Sequence, residues 1–356
     1  MGKKIRVLVV DDSLFMRKAL VRMLTSDPAI EVVDTASDGL EGYNKTMLLK
    51  PDIVTLDVRM PGMDGIATLA KIMEDCPVPV LMLSSLTSEG GEVTLRALDL
   101  GAVEIIDKSS AHTVMDIAGI ADELIRKVKA IAGVDAIKIA RIKAERREER
   151  SEPGPRPHTH KTSRYELVVI GASTGGPPAL QEILTRLPEN LPAAVVVVQH
   201  MPVGFTASLS ERLNNLSPMY VSEAYDGDII EPGRCLIAPS GLHMTLKKVG
   251  TELSVALSKE PSDTLHRPSV DVLMESAAEV VGRAGIGIIL TGMGGDGAKG
   301  LLAMRKAGAR TFAQDEESCV VYGMPKVAVD MGGVEASIPL KLVAPTIISE
   351  LGSPQT

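Results

Sequence analysis

The chain has no tryptophan, and five tyrosines and three phenylalanines bring its aromatic share to only 2% of 356 residues. Single-stranded nucleic acid is usually held on aromatic stacking platforms in a basic groove. This composition, with a net charge of −8, excludes a general nucleic-acid binder. Cysteine is almost as scarce. Cys76, Cys235 and Cys319 are scattered and odd in number, which excludes a disulfide framework and a zinc knuckle and predicts a reducing, cytoplasmic setting. Long apolar runs are also missing. No stretch approaches the ~18–20 residues of a membrane helix. The first apolar run, Ile5 to Val10, is too short for a secretory segment and runs into Asp11. Membrane insertion is not expected.

What is present is an ordinary globular balance, 45% hydrophobic and 24% charged, on a chain long enough for two cores. The two parts are separated between Lys138 and Arg164. Apolar periodicity there gives way to Lys143-Ala144-Glu145-Arg146-Arg147-Glu148-Glu149-Arg150 and then to Pro153-Gly154-Pro155-Arg156-Pro157. The charged run suits a helix extension with i,i+4 ion pairs, and the prolines end it. His158 and His160 have no acidic or thiol partner nearby and read as linker residues.

Before the linker, strand and helix patterns alternate five times. The strands are expected at Ile5–Val10, Glu31–Ala36, Asp52–Leu56, Val78–Leu83 and Val103–Ile106, with a helix over Leu14–Leu24. Five βα units predict a small doubly wound parallel sheet whose strand carboxyl ends meet in one crevice. Asp11 and Asp12 end the first strand and Asp57 the third, Ser84 and Ser85 end the fourth, and Lys108 follows the fifth. Three carboxylates so placed repel one another unless a divalent cation neutralises them, and Mg²⁺ suits oxygen ligands while leaving room for phosphate. Asp57 is then a nucleophile for a phosphoryl group whose oxygens Ser84 and Lys108 hold.

After the linker, Gly171-Ala172-Ser173-Thr174-Gly175-Gly176 follows the apolar run Leu167–Ile170. Glycines at such a strand-to-helix turn leave a serine hydroxyl exposed at the sheet's carboxyl edge. His200 closes Ala194–Gln199, and Asp296 follows Ile288–Gly295. A hydroxyl, an imidazole and a carboxylate at three strand ends are the parts of a serine hydrolase. Their order, Ser-His-Asp, differs from the Ser-Asp-His of α/β-hydrolases and so points to another scaffold. His243 and His266 lie near glycine or proline turns and rank below His200 as the base, and Asp271 is the alternative acid.

Residues 1–125 closely resemble a response-regulator receiver domain, through Val9-Val10-Asp11-Asp12-Ser13, Leu56-Asp57-Val58-Arg59-Met60-Pro61-Gly62-Met63-Asp64-Gly65, Ser84-Ser85 and Lys108. The resemblance implies phosphorylation at Asp57 by a chemotaxis histidine kinase, with Mg²⁺ held by Asp11, Asp12, Asp57 and the Arg59 carbonyl. Two positions depart from the pattern: Ile105 replaces the usual aromatic switch residue, and Ser109 replaces the proline after Lys108.

The remainder, 165–356 after a connector at 126–164, resembles the catalytic domain of the chemotaxis protein-glutamate methylesterase family. The motifs are Ile170–Gly176, Gln199-His200-Met201-Pro202, Ile237-Ala238-Pro239, His243-Met244, Arg267-Pro268-Ser269-Val270-Asp271 and Leu290–Ala298. This implies hydrolysis of γ-glutamyl methyl esters on chemoreceptor cytoplasmic domains, deamidation of particular receptor glutamines, and no cofactor for the ester step. Ser173, His200 and Asp296 are the expected triad, backbone N–H groups near Thr174 and Met293 the oxyanion donors, and Arg267 a substrate contact. The expected fold is α/β: two doubly wound parallel-sheet domains, a flavodoxin-like receiver and a three-layer αβα catalytic domain.

Three other readings are weaker. A dinucleotide oxidoreductase needs G-x-G-x-x-G and a ribose-binding acid, and neither stands after Ile170. A DNA-binding output domain needs a basic recognition helix, which the second half lacks. A catalytically dead scaffold would not need all three triad residues.

Overall fold

The computed structural model describes residues 3–84, 90–108, 114–134 and 166–352. The connector between Lys138 and Arg164, with His158 and His160, lies outside these residues, as do Ser85 and Ser109. The chain divides into two compact units, Met1–Ser151 and Glu152–Thr356.

The first unit alternates strand and helix: β1 (Ile5–Val10), α1 (Leu14–Thr25), β2 (Ile30–Ala36), α2 (Gly39–Leu49) and β3 (Ile53–Asp57). It continues with α3 (Gly65–Asp75), β4 (Val80–Ser84), α4 (Gly90–Leu100), β5 (Glu104–Asp107) and α5 (Val114–Ile131). The strands form a parallel sheet in the order β2-β1-β3-β4-β5. β3 and β4 are buried at every residue, which is why they read as unbroken apolar runs rather than alternating ones. The order of travel reverses between β1 and β3, so their carboxyl ends open the crevice that carries Asp11 and Asp57. Helix α1 is capped by Ser13, whose Oγ accepts from Met16 N at 3.3 Å. Neither Asp11 nor Asp12 serves as that cap.

The second unit contains β6 (Leu167–Ala172), α6 (Gly176–Leu184), β7 (Ala194–Gln199), α7 (Phe205–Leu216), β8 (Tyr220–Glu223) and β9 (Arg234–Ile237). Next come an antiparallel pair, β10 (His243–Val249) and β11 (Glu252–Ser258), then α8 (Val270–Val280) and β12 (Gly285–Ile289). It closes with α9 (Ala298–Lys306), β13 (Arg310–Gln314), α10 (Met324–Asp330), β14 (Ala336–Ile338) and α11 (Leu340–Gly352). Seven strands pair in parallel in the order β14-β13-β12-β6-β7-β9-β8. Leu167, Val169, Val196 and Val198 share one core with Leu273 and Met274 of α8 and Leu301 and Met304 of α9. The intervening Val168, Ile170, Val195 and Val197 are equally buried and project to the opposite face. Helix α6 packs with α7 and α11. Each such Val or Leu contributes about 1.5–3 kcal/mol by leaving water. With aromatics so rare, these branched aliphatic side chains make up most of the core.

Candidate functional site

From β6 the chain runs outward to β7 on one side and later returns as β12 on the other, so the switch point of the sheet lies at β6. Ligand crevices of open parallel sheets form at such points. Ala172 pairs with Gln199 and Gly171 with Ile289, so the residues just beyond these three strands are neighbours. Ser173 donates its N–H to Thr291 O at 3.1 Å, and His200 donates its N–H to Ala172 O at 3.0 Å. Gly175 takes φ +76 immediately after the turn residues, a left-handed conformation that favours glycine, and α6 starts at Gly176. Gly292 is needed for another reason: a Cβ there would stand 2.8 Å from Ser173 Cβ and overlap the Met324 sulfur.

The structure brings His200 and Asp296 together. His200 Nε2 lies 2.8 Å from Asp296 Oδ2, and both side chains are largely buried. Asp296 sits against the N-terminus of α8. Its Oδ2 also accepts from Val270 N at 2.7 Å, and its Oδ1 accepts from Asp271 N at 3.0 Å and Ser269 Oγ at 2.8 Å. Burial alone would push this carboxyl upward. The hydrogen bond and charge of His200, with the Asp271 and Val270 N–H groups, outweigh burial and hold it well below the usual carboxylate range. Asp271 directs its own carboxylate to Gly300 N at 2.8 Å and so caps α9 rather than serving His200.

The other expected residues are placed as follows. Thr174 is buried directly after Ser173, and Met293 is half-buried in the loop after β12. Arg267 is half-buried, its carbonyl accepting from Gly241 N at 3.0 Å. His266 stacks on His200 with ring centroids 4.1 Å apart and 20° between planes. His243 is fully buried: its Nδ1 accepts from Ser269 N at 3.2 Å and its Nε2 donates to Pro261 O at 3.1 Å. Burial, with Arg267 nearby, holds the His243 pKa below its ordinary value.

Three contributions were not assigned from sequence: the Ser269 hydroxyl on Asp296, the His266 stack, and buried Gln199 beside Ser173. The first had a signal, since a serine opening a helix is an N-cap with a hydroxyl to spare. The third had one too, because a glutamine closing a buried strand of Ala194 and four valines must find partners.

In the first unit, Lys108 Nζ lies 2.6 Å from Asp57 Oδ2 and 3.0 Å from Asp11 Oδ2. Carboxylate oxygens of Asp11, Asp12 and Asp57 all fall within 4.8 Å of one another. Burial raises the Asp57 pKa against the pull of Lys108. Burial works to lower that of Lys108, yet Asp57 and Asp11 raise it. One lysine facing three carboxylates leaves negative charge and hard oxygen donors, a set that fits a divalent cation. Arg59 N lies 3.4 Å from Asp57 Oδ1, and Ser84 Oγ lies 3.2 Å from Thr94 Oγ1. A cavity of about 450 Å³, lined in part by Asp12, Asp57, Arg59 and Ser84, opens above them. Ile105 is buried in β5.

A model of the CheB methylesterase family matches residues 168–347, and one of the response regulator receiver domain matches 7–117. The chain belongs to the CheB methylesterase family. A protein-glutamate methylesterase/protein-glutamine glutaminase of Halalkalibacterium halodurans is 44% identical over 98% of this chain and 99% of its own. One of the same description from Symbiobacterium thermophilum is 47% identical over 98% of each chain. Among solved structures, the Thermotoga maritima CheB methylesterase catalytic domain is 42% identical, with a TM-score of 0.51, covering 52% of this chain and 98% of that one. The expected α/β fold with two parallel-sheet domains holds, and receiver and methylesterase domains in one chain make it a phosphorylation-regulated chemotaxis hydrolase. The receiver domain accords with a divalent metal in phosphorylation and with a kinase as phosphodonor. Among the described residues no helix is long and apolar enough to cross a membrane.

Proposed function

We propose that this chain hydrolyses γ-glutamyl methyl esters on the cytoplasmic domains of chemoreceptors and deamidates particular receptor glutamines, using Ser173, His200 and Asp296. The 2.8 Å contact between His200 and Asp296, at strand ends adjoining Ser173, carries the reading. Ser173 Oγ attacks the ester carbonyl while His200 takes its proton. The tetrahedral oxyanion is stabilised by N–H groups of Thr174 and Met293. Collapse expels the methoxy group, which takes the proton from His200 and leaves as methanol; for glutamine the leaving group is ammonia. Water then attacks the acyl-serine with His200 again as base, releasing the glutamate carboxylate and free Ser173. Asp296 orients the ring and stabilises its cationic form. No cofactor enters the ester step, and Arg267 contacts the receptor segment around the glutamate.

The receiver (residues 1–125) is joined through 126–164 to the catalytic domain (165–356), and the enzyme works in the cytoplasm. Asp57 attacks the phosphorus of a phosphodonor, in the cell the phosphohistidine of a chemotaxis histidine kinase, whose P–N bond breaks as the imidazole leaves. The transferred phosphoryl oxygens are held by Lys108 and Ser84. Mg²⁺ would be held by Asp11, Asp12, Asp57 and the Arg59 carbonyl, and when bound it neutralises phosphoryl charge. Methanol release from methylated receptor membranes, with and without a small-molecule phosphodonor, tests the whole reading. Release should occur and should rise with the donor; membranes that keep their methyl groups in both cases would end the proposal.

A further inference from the structure

Gln199 is the last residue of β7 and is almost wholly buried. Its carboxamide nitrogen donates to two backbone carbonyls at once, Ser173 O at 2.9 Å and His200 O at 3.0 Å. One side chain thereby ties the peptide of the nucleophile to the peptide of the base, across 26 intervening positions of sequence. The reverse orientation of the amide would set an oxygen against two carbonyl oxygens, so the nitrogen belongs there. The remaining atom, Oε1, is buried with no hydrogen-bond partner and lies against the backbone of Gly176, where an added Cβ would overlap it. A buried carbonyl oxygen left unpaired is unfavourable. An apolar side chain of the same length would avoid that cost, so what the amide supplies here is its two donors.

Those donors act on the peptide group between Ser173 and Thr174. Ser173 O accepts from Gly176 N at 2.7 Å as well as from Gln199, so both of its lone pairs are engaged and its direction is fixed. A trans peptide is planar, with its N–H pointing opposite to its C=O. Fixing the Ser173 carbonyl therefore fixes the direction of the Thr174 N–H. The next carbonyl is held in the same manner, since Thr291 Oγ1 donates to Thr174 O at 2.9 Å and accepts from Val321 N at 3.0 Å.

We infer that Gln199 is a positioning residue for ester hydrolysis: by holding the Ser173 carbonyl it aims the Thr174 N–H at the developing oxyanion. This rests on the triad and oxyanion reading above. An oxyanion donor acts in the transition state more than on bound substrate, so its loss lowers kcat and leaves KM nearly unchanged.

The test compares wild type, Gln199→Met, which keeps length and removes both donors, and Ser173→Ala, by methanol release over a range of receptor concentrations. Alkylation by iodoacetamide is measured in a Ser173→Cys background with and without Gln199→Met, since that displacement uses the nucleophile but forms no oxyanion. Gln199→Met should lower kcat about 10²-fold, the lower end for loss of one oxyanion donor. KM should change less than about twofold, and alkylation of the cysteine should keep its rate. Wild-type kcat in Gln199→Met, or a loss confined to KM, overturns the inference. An equal fall in alkylation also overturns it, by showing general loss of the turn's shape. Should Gln199→Met not fold, Gly176→Ala displaces the amide by crowding Oε1 and is read by the same criteria. Activity remaining in Ser173→Ala would instead overturn the triad itself, so the two failures stay distinct.

Discussion

His200 meets Asp296 through Nε2, at 2.8 Å, rather than through Nδ1. The other ring nitrogen, Nδ1, is buried and has no hydrogen-bond partner among the described residues. Since the carboxylate engages Nε2, Nδ1 is the nitrogen that accepts the Ser173 proton in the proposed mechanism. Asp296 in turn is held by two N–H groups at the start of α8 and by the Ser269 hydroxyl. The positive end of a helix dipole favours a carboxylate there. The anion is thus fixed in place and charged before any substrate arrives.

Ser173→Ala removes the atom proposed to form the acyl bond while changing one nearly buried methylene-hydroxyl into a methyl. Methanol release should fall roughly 10⁴–10⁶-fold with the melting temperature close to wild type. A variant that keeps a tenth of normal turnover would show the nucleophile to be another group.

Asp296→Asn tests the carboxylate more sharply than sequence alone allowed. Four donors converge on the two oxygens of Asp296, and asparagine offers one oxygen and a competing NH₂. Either His200 or the start of α8 must then face a donor. Turnover should drop by up to about 10⁴-fold, less than for Ser173→Ala. Stability should fall by about 1–3 kcal/mol, the cost of a buried group left unsatisfied. Unchanged turnover would remove Asp296 from the mechanism, and Asp271, which caps α9, would be the next acid to substitute.

His243 gives a pH signature in stability. Burial, with Arg267 nearby, holds its native pKa below the 6.5 expected when unfolded despite the bond to Pro261 O, and the Ser269 N–H donated to Nδ1 requires the neutral ring. As pH falls below 6.5 the unfolded chain takes up a proton that the native ring resists, so stability declines until the native pKa is reached. Melting temperature should therefore fall on acidification from pH 7 toward 5. His243→Gln should flatten that fall, by about one proton in the linkage. Parallel curves for the two proteins would refute the assignment.

Much of this was legible in the residues, for a physical reason. Strands buried on both faces read as unbroken apolar runs, so Leu167–Ile170 and Ala194–Gln199 announced β6 and β7 with Ser173 and His200 at their ends. Strands near the sheet's margins carried no such signal: β14 is three residues long and largely exposed, and β8 is four. Which ring edge of His200 faces Asp296, and the stacking of His266 on it, depend on how the loops after β7 and β11 fold back. No periodicity encodes that. Asp11, Asp12, Asp57 and Lys108 were easier, because each ends or follows a strand of one sheet and their shared edge follows from the βα alternation.

Regulation is the last expectation, and it concerns why two such domains share one chain. Phosphorylation of Asp57 would replace a carboxylate of one negative charge by an acyl phosphate of about two, a net gain of about one negative charge beside Lys108, in a pocket already rich in carboxylate. A change there can alter the receiver's surface and with it the access of receptor to Ser173. A tenfold rise in activity needs a shift of only ~1.4 kcal/mol between inactive and active states, well inside an ordinary coupling energy. We expect the unphosphorylated receiver to inhibit, so that a fragment beginning at Thr162 hydrolyses receptor methyl esters faster than the unphosphorylated full chain. Full-length Asp57→Ala should keep the basal rate and ignore a small-molecule phosphodonor. Chelation of divalent cations should abolish the response to the donor without lowering the basal rate, because the ester step as proposed uses no metal. A fragment no faster than the full chain would rule out inhibition and leave stimulation by the phosphorylated receiver, in which case the fragment, lacking Asp57, should stay at the basal rate whatever donor is added.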